Sequence, residues 1–215
     1  MKTGIIWDLD GTLLNTLDDL TDAVNYSLRQ YGCPERTAAE VRSFLGNGAK
    51  KLIWQALPSG EDAPDPEEVL KTYQKYYQAH CQIQTAPYPG IPEVLDQLSR
   101  EGIPMAVVSN KPDGAVKALC AHWFPQLQAR GEAPDCPRKP APDMVLKAME
   151  DLGADQYVYV GDSEVDVLTA QNAGIPCISV TWGFRDEADL IAGGAQHLCH
   201  TPDQFPTTLK TLLDP

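Results

Sequence analysis

Positive charge is what this sequence has least of: 17 lysines and arginines stand against 30 aspartates and glutamates, for a formal net charge of −13. A chain so acidic offers no broad phosphate-neutralising surface, which argues against DNA or RNA as a partner. Any anionic ligand must be held by a local cluster of donors working against the overall field. No apolar run approaches the roughly 18–20 residues that a transmembrane helix needs, and no charged-then-apolar signal segment opens the chain, so no membrane is expected. The six cysteines, Cys33, Cys81, Cys120, Cys136, Cys177 and Cys199, include no CxxC pair, and reduced thiols in a cytoplasm is the simplest reading. Repeats, low-complexity tracts and coiled-coil heptads are absent too, which leaves a purely structural role without support.

What is present suffices for a substantial core, with 43% of 215 residues hydrophobic. Residues 4–7, 105–108, 157–160 and 175–180 are short, apolar and rich in β-branched or aromatic side chains, the pattern of buried strands. Residues 196–199 suggest an edge strand. Helical segments lie between them, with Pro92 placed to open one helix, Gly102 to close it and Pro112 to open the next. Strand alternating with helix implies an α/β fold, a doubly wound parallel sheet with a Rossmann-like core. Between the first two strands the alternation breaks for about seventy residues that read as helices only, over 17–31, 38–45, 49–57 and 66–79, with a polar loop at 58–66. Thr37 and Glu40 form a capping-box pattern at the second of these. The stretch is too long for a simple crossover. It is read as an inserted α-helical cap over residues 15–85, leaving 1–14 and 86–215 as the catalytic core.

Four groups of residues carry chemistry, each with an ordinary alternative explanation. Asp8-Leu9-Asp10-Gly11-Thr12 places two carboxylates at the carboxyl edge of a parallel sheet, where such folds bind ligands and where paired acids suit a hard cation such as Mg²⁺. Loop acids also simply bond the turn. Ser109-Asn110-Lys111 puts a hydroxyl and an amide at the same edge, either able to bind a phosphoryl oxygen, although Ser-Asn is also a common helix cap. Lys139, on a backbone stiffened by Pro140 and Pro142, offers a fixed ammonium for a transferring phosphoryl group. Gly161-Asp162-Ser163-Glu164-Val165-Asp166 adds acids able to complete a metal site, or merely to favour a helix dipole. Their occurrence in order, each after an expected strand or turn, raises the functional reading above the ordinary one.

On these motifs the chain resembles the haloacid dehalogenase superfamily, and within it the phosphoglycolate phosphatase-like branch. The helical insertion matches that family's common cap position, and Gly46-Asn47-Gly48-Ala49 and Thr181-Trp182-Gly183-Phe184 are similar to segments of that branch. The resemblance implies a Mg²⁺-dependent phosphatase with Asp8 as nucleophile, Asp10 as acid and base, and Lys139 as the catalytic cation. The metal would be held by the Asp8 carboxylate, the Asp10 main-chain carbonyl and Asp162, with Asp166 orienting the metal shell or Lys139. Thr12, Ser109 and Asn110 would bind substrate, with Asn47 and Lys50 contributing from the cap.

Two departures stand out. Asn15 replaces a common aspartate, which is expected to touch the cap hinge more than the chemistry, and residues 123–137 do not follow the usual pattern. The expected substrate is a small phosphorylated metabolite acted on by a monomer or small homo-oligomer. 2-Phosphoglycolate leads, with pyrophosphate, nucleoside monophosphates, sugar phosphates and a phosphomutase reaction as alternatives. A phosphonatase would need a Schiff-base lysine in the cap, for which Lys50 or Lys51 is less suited than for a wet helix face. A catalytically idle binding or regulatory member is disfavoured by the presence of both Asp8 and Asp10. His197 to His200 would place neighbouring side chains on opposite faces of a strand, and Tyr73, Tyr76 and Tyr77 have the spacing of helix packing.

Overall fold

Burial on both faces drives the first strand, β1 (Thr3–Trp7), into the interior: Ile5, Ile6 and Trp7 are fully buried, as the strands of a parallel sheet covered on two sides must be. The computed structural model describes residues 1–60, 63–134 and 136–213. Part of the polar loop expected at 58–66 (Glu61 and Asp62), and Asp135 of the irregular 123–137 stretch, lie outside the described residues, as do Asp214 and Pro215. The chain divides into two units, Met1–Leu14 with Pro87–Pro215, and Asn15–Ala86.

The first unit is built on a six-stranded parallel sheet. β1 pairs with β4 (Met105–Pro112) on one side and β6 (Gln156–Gly161) on the other, Ile5 standing opposite Met105 and Val158. The sheet continues to β5 (Gln128–Glu132) beyond β4, and to β7 (Cys177–Val180) and β8 (His197–Cys199) beyond β6. The helices of this unit are α5 (Ile91–Arg100), α6 (Asp113–Trp123), α7 (Asp143–Leu152), α8 (Glu164–Ala173), α9 (Glu187–Ala192) and α10 (Phe205–Leu213). Alternation along the strands serves both faces. Ile6, Ala106, Val108 and Tyr159 pack with Met144, Val145 and Ala148 of α7 and Ala170 of α8, while Trp7 meets Phe205 at 4.6 Å between ring centres.

Three elements of this unit were not foreseen. β5 has the polar sequence Gln-Ala-Arg-Gly-Glu and a largely half-exposed pattern, so as an edge strand it carries no apolar run to announce it. Gly131 is what lets it close on β4: a Cβ there would stand 2.5 Å from Asp113 Cα and 2.6 Å from the Lys111 carbonyl. α9 and α10 are short helices that the sequence pattern did not single out. β4, in contrast, outruns the expected 105–108, taking in Ser109, Asn110 and Lys111 across a register irregularity between Val108 and Pro112.

The second unit holds four helices, α1 (Leu17–Gln30), α2 (Ala38–Phe44), α3 (Gly48–Ala56) and α4 (Pro66–His80). The Thr37–Glu40 capping box forms as its pattern predicts, the Glu40 carboxylate accepting from the Thr37 N–H at 2.8 Å. Asp19, on α1 and buried, accepts from the N–H groups of Ile83, Gln84 and Thr85 and from the Thr85 hydroxyl, tying the returning chain to the helix. Tyr73 and Tyr77 are buried and stacked, and Tyr76 lies between Tyr26 and His80, which is helix packing. A separate two-stranded ribbon joins β2 (Leu14–Asn15) with β3 (Ala86–Pro87).

Ile6→Ala empties a fully buried place on the central strand and is expected to lower unfolding stability by about 2–5 kcal/mol. Chemical denaturation checks this, and a loss well below that range would mean the sheet centre collapses around the gap.

Candidate active site

The carboxyl ends of two neighbouring strands bring the acids together. Asp8 follows β1 directly, its N–H continuing the ladder to the Val160 carbonyl at 2.8 Å. Asp162 follows β6, and Asp166 lies in the first turn of α8. Carboxylate oxygens of Asp8, Asp162 and Asp166 all lie within 4.8 Å of one another, and all three residues are buried.

Lys139 enters this cluster from the loop before α7. Its Nζ lies 2.7 Å from Asp166 Oδ1, 2.9 Å from Asp8 Oδ1 and 3.0 Å from the Tyr159 hydroxyl, with its side chain only 2% exposed. The backbone of Lys139 is fixed as tightly. Asn110 accepts from the Lys139 N–H at 2.7 Å and donates through Nδ2 to the Lys139 carbonyl at 3.0 Å. The Asn110 carboxamide is thus committed to positioning the lysine.

Asp166 does two things at once. Oδ1 takes Lys139, while Oδ2 accepts from the Ser163 N–H at 3.1 Å and the Ser163 hydroxyl at 2.6 Å, capping α8. The structure thus places Asp166 both in the acidic first turn of α8 and beside Lys139. Gly161 is what admits it: a Cβ on that residue would stand 2.3 Å from Asp166 Cγ.

Asp10 stands apart from the cluster. Both its oxygens are held by Lys111 Nζ, at 2.7 and 2.8 Å, the lysine side chain being 4% exposed and that of Asp10 21%. The Thr12 hydroxyl donates to Asp162 Oδ1 at 3.2 Å, and the Ser109 hydroxyl accepts from the Lys111 N–H at 3.3 Å. Asn47 is the residue before α3, without a side-chain capping bond. Lys50 pairs with Glu67 at 2.6 Å and lies 4.9 Å from the centre of the Trp54 ring. Lys111 and Tyr159 are the members that sequence reasoning left without a role. Tyr159 is one buried aromatic among several in an apolar strand, and nothing in the sequence marks its hydroxyl.

Electrostatics follow from burial. Desolvation raises Asp8 to about 7 even with Lys139 opposing it, and burial, aided by Asp166 and Asp8, pushes Asp162 well above the carboxylate range. Burial works against the charged form of Lys139 as well, but Asp166 and Asp8 outweigh it and hold the ammonium well above its usual value. Three ionised carboxylates against one ammonium leave two negative charges uncompensated, the charge of one Mg²⁺. Asp8 Oδ1 is buried and accepts no hydrogen bond, Lys139 being close enough for an ion pair but outside hydrogen-bonding geometry. A hard, oxygen-seeking divalent cation fits that donor set: Asp8 and Asp162 would supply carboxylate oxygens, whereas each oxygen of Asp166 already has two hydrogen-bond donors.

The chain is similar to known proteins along most of its length. Residues 5–180 match the family profile described as haloacid dehalogenase-like hydrolase. A phosphoglycolate phosphatase of Cereibacter sphaeroides is 34% identical over 98% of this chain and 99% of its own, and one of Rhodobacter capsulatus is 36% identical over 86% and 87%. A crystal structure from Lactobacillus delbrueckii subsp. bulgaricus, 37% identical, matches with a TM-score of 0.86 over 95% of this chain and 97% of that one.

A carboxyl whose folded pKa is raised favours folding below its unfolded value and loses that contribution as pH rises through the folded value. Without metal, Asp8 should therefore weaken the fold between about pH 4 and pH 7. A divalent cation such as Mg²⁺ bound there would displace the protons that Asp8 and Asp162 retain, so the melting-temperature increase on adding Mg²⁺ should be larger at pH 8 than at pH 6. Thermal unfolding with Mg²⁺ or with chelator checks this, and an increase that is equal or larger at pH 6 would contradict it.

Proposed function

The chain belongs to the haloacid dehalogenase-like hydrolases, and on that premise we propose that it is a Mg²⁺-dependent phosphatase cleaving a small phosphate monoester, 2-phosphoglycolate foremost, through an aspartyl-phosphate on Asp8. The observation that carries this reading is the buried Asp8 carboxylate, with one oxygen accepting no hydrogen bond, set between Lys139 and Asp162. The name phosphoglycolate phosphatase, carried by relatives of near-equal length, supports the choice of substrate.

In the first step Asp8 attacks phosphorus, the Asp8–phosphorus bond forming as the ester bond breaks and the electron pair leaves with the alkoxide. Asp10 gives that alkoxide a proton. In the second step water attacks the phosphoryl group, Asp10 takes a proton from it, and phosphate leaves Asp8. Bound Mg²⁺, held by Asp8, Asp162 and the Asp10 main-chain carbonyl, would screen the repulsion between nucleophile and ester. Lys139 places a fixed positive charge beside the Asp8 oxygen, and Asp166, Tyr159 and Asn110 hold it there. Ser109, Asn110 and Thr12 line the same strand ends and are assigned to phosphoryl binding, Asn110 through its main chain because its carboxamide is engaged. The helical segment 15–85 is assigned as a selectivity cap, with Asn47 and Lys50 as its substrate-ranking residues.

Removal of metal by a chelator is expected to abolish turnover, and added Mg²⁺ to restore it; full activity in chelator would remove the metal from the scheme. The two carboxylates separate by kinetics. Asp8→Asn should be inactive on every ester, since an amide is a poor nucleophile. Asp10→Ala should release about one nitrophenol per enzyme from nitrophenyl phosphate and then slow sharply, because that leaving group needs no proton but the water still needs a base. Rapid-quench measurements with mass spectrometry decide it: phosphate trapped on Asp10, or a burst from Asp8→Asn, would reverse the roles.

A further inference from the structure

The segment Thr181-Trp182-Gly183-Phe184, noticed in the sequence only as a resemblance, meets the acids through Asp162. Each oxygen of that carboxylate accepts one hydrogen bond, Oδ1 from the Thr12 hydroxyl at 3.2 Å and Oδ2 from the Phe184 N–H at 2.7 Å. Trp182 Nε1 donates to the Thr12 carbonyl at 3.0 Å. The segment thus reaches one oxygen directly and the other through Thr12, leaving each with further acceptor capacity for a cation.

Gly183 lies at the closest approach. A Cβ there would stand 2.3 Å from Asp162 Cβ, 2.4 Å from the Gly11 carbonyl and 2.5 Å from Asp162 Oδ2. Its backbone is not in the left-handed region, so space rather than conformation demands glycine. Gly11, at φ +85°, is constrained both ways, since its own Cβ would meet Asp162 Oδ2 at 2.3 Å. Beyond Phe184, Arg185 pairs with Glu164 at the start of α8, Nε to Oε2 at 2.9 Å, anchoring the segment to the helix that follows Asp162.

We propose that Trp182, Gly183 and Phe184 form a clamp that fixes the Asp162 carboxylate for a divalent cation. They are positioning residues: none supplies a metal ligand, and each acts by where it holds Asp162. The inference rests on the reading of Asp162 as a Mg²⁺ ligand. Groups that orient a metal ligand commonly govern affinity almost as strongly as the ligand does.

The test is a calorimetric Mg²⁺ titration of wild type, Gly183→Ala and Trp182→Phe, with kcat measured at saturating Mg²⁺. Gly183→Ala forces Asp162 aside and should raise the Mg²⁺ dissociation constant about 10- to 100-fold. Trp182→Phe keeps the ring bulk and loses one donor, so it should weaken Mg²⁺ binding about threefold to tenfold while kcat at saturating Mg²⁺ stays within about threefold. It also keeps the question decidable if Gly183→Ala does not fold. Mg²⁺ affinity unchanged in Trp182→Phe, or a fall in stability and kcat without a fall in affinity, would overturn the clamp and leave the metal site standing. A wild type that binds no Mg²⁺ would overturn both.

Discussion

Lys139 Nζ is the point on which the acidic edge of the sheet closes. It lies 2.7 to 3.0 Å from Asp166, Asp8 and the Tyr159 hydroxyl, and the lysine's main chain is bound on both sides by the Asn110 carboxamide. Removing a partner from a buried charge cluster is costly because the remaining charge stays desolvated. So β1, β4, β6 and the start of α8 are bound to one another's positions through a single residue. The site is also left short of positive charge. Burial raises Asp8 to about 7 and Asp162 well above the carboxylate range, so the fit for a divalent ion follows from burial rather than from any one ligand.

Room for so many acids comes from residues that have no side chain. Gly161 makes space for Asp166, and Gly11 and Gly183 stand on two sides of Asp162. Each is a place where a single methyl group would collide with a carboxylate, so backbone close approach is what allows the acids to converge within 4.8 Å. Asp10 shows the complementary arrangement, a carboxylate held off the cluster by Lys111. Two adjacent acids on one turn thereby receive different surroundings, as two different chemical roles require.

The central sheet was legible because β1, β4, β6 and β7 are buried, and buried strands must be apolar. β5 was not, because an edge strand that is half exposed has no such requirement. Asp8, Asp10, Lys139 and Asp162 could be found from their order along the chain and their places after strands or turns. The grip of Asn110 on Lys139 could not, since the two are 29 residues apart and a Ser-Asn pair looks the same whether it ends a strand, caps a helix or pins a distant backbone. Tyr159 was hidden for the opposite reason, being indistinguishable from the core around it.

Legible along the chain were the α/β class, the helical stretch after the first strand and the order of the acids and lysine relative to the strands, because strand periodicity, helix punctuation and the local order of chemical groups are properties of neighbours along the chain. Tertiary structure alone decided which acid meets which partner: Lys139 with Asp8 and Asp166, Lys111 with Asp10, and the 182–184 segment with Asp162. Those pairings depend on strand register and on glycine close approach, which set distances between residues as far apart in the chain as Asp8 and Lys139 and leave no local pattern to read.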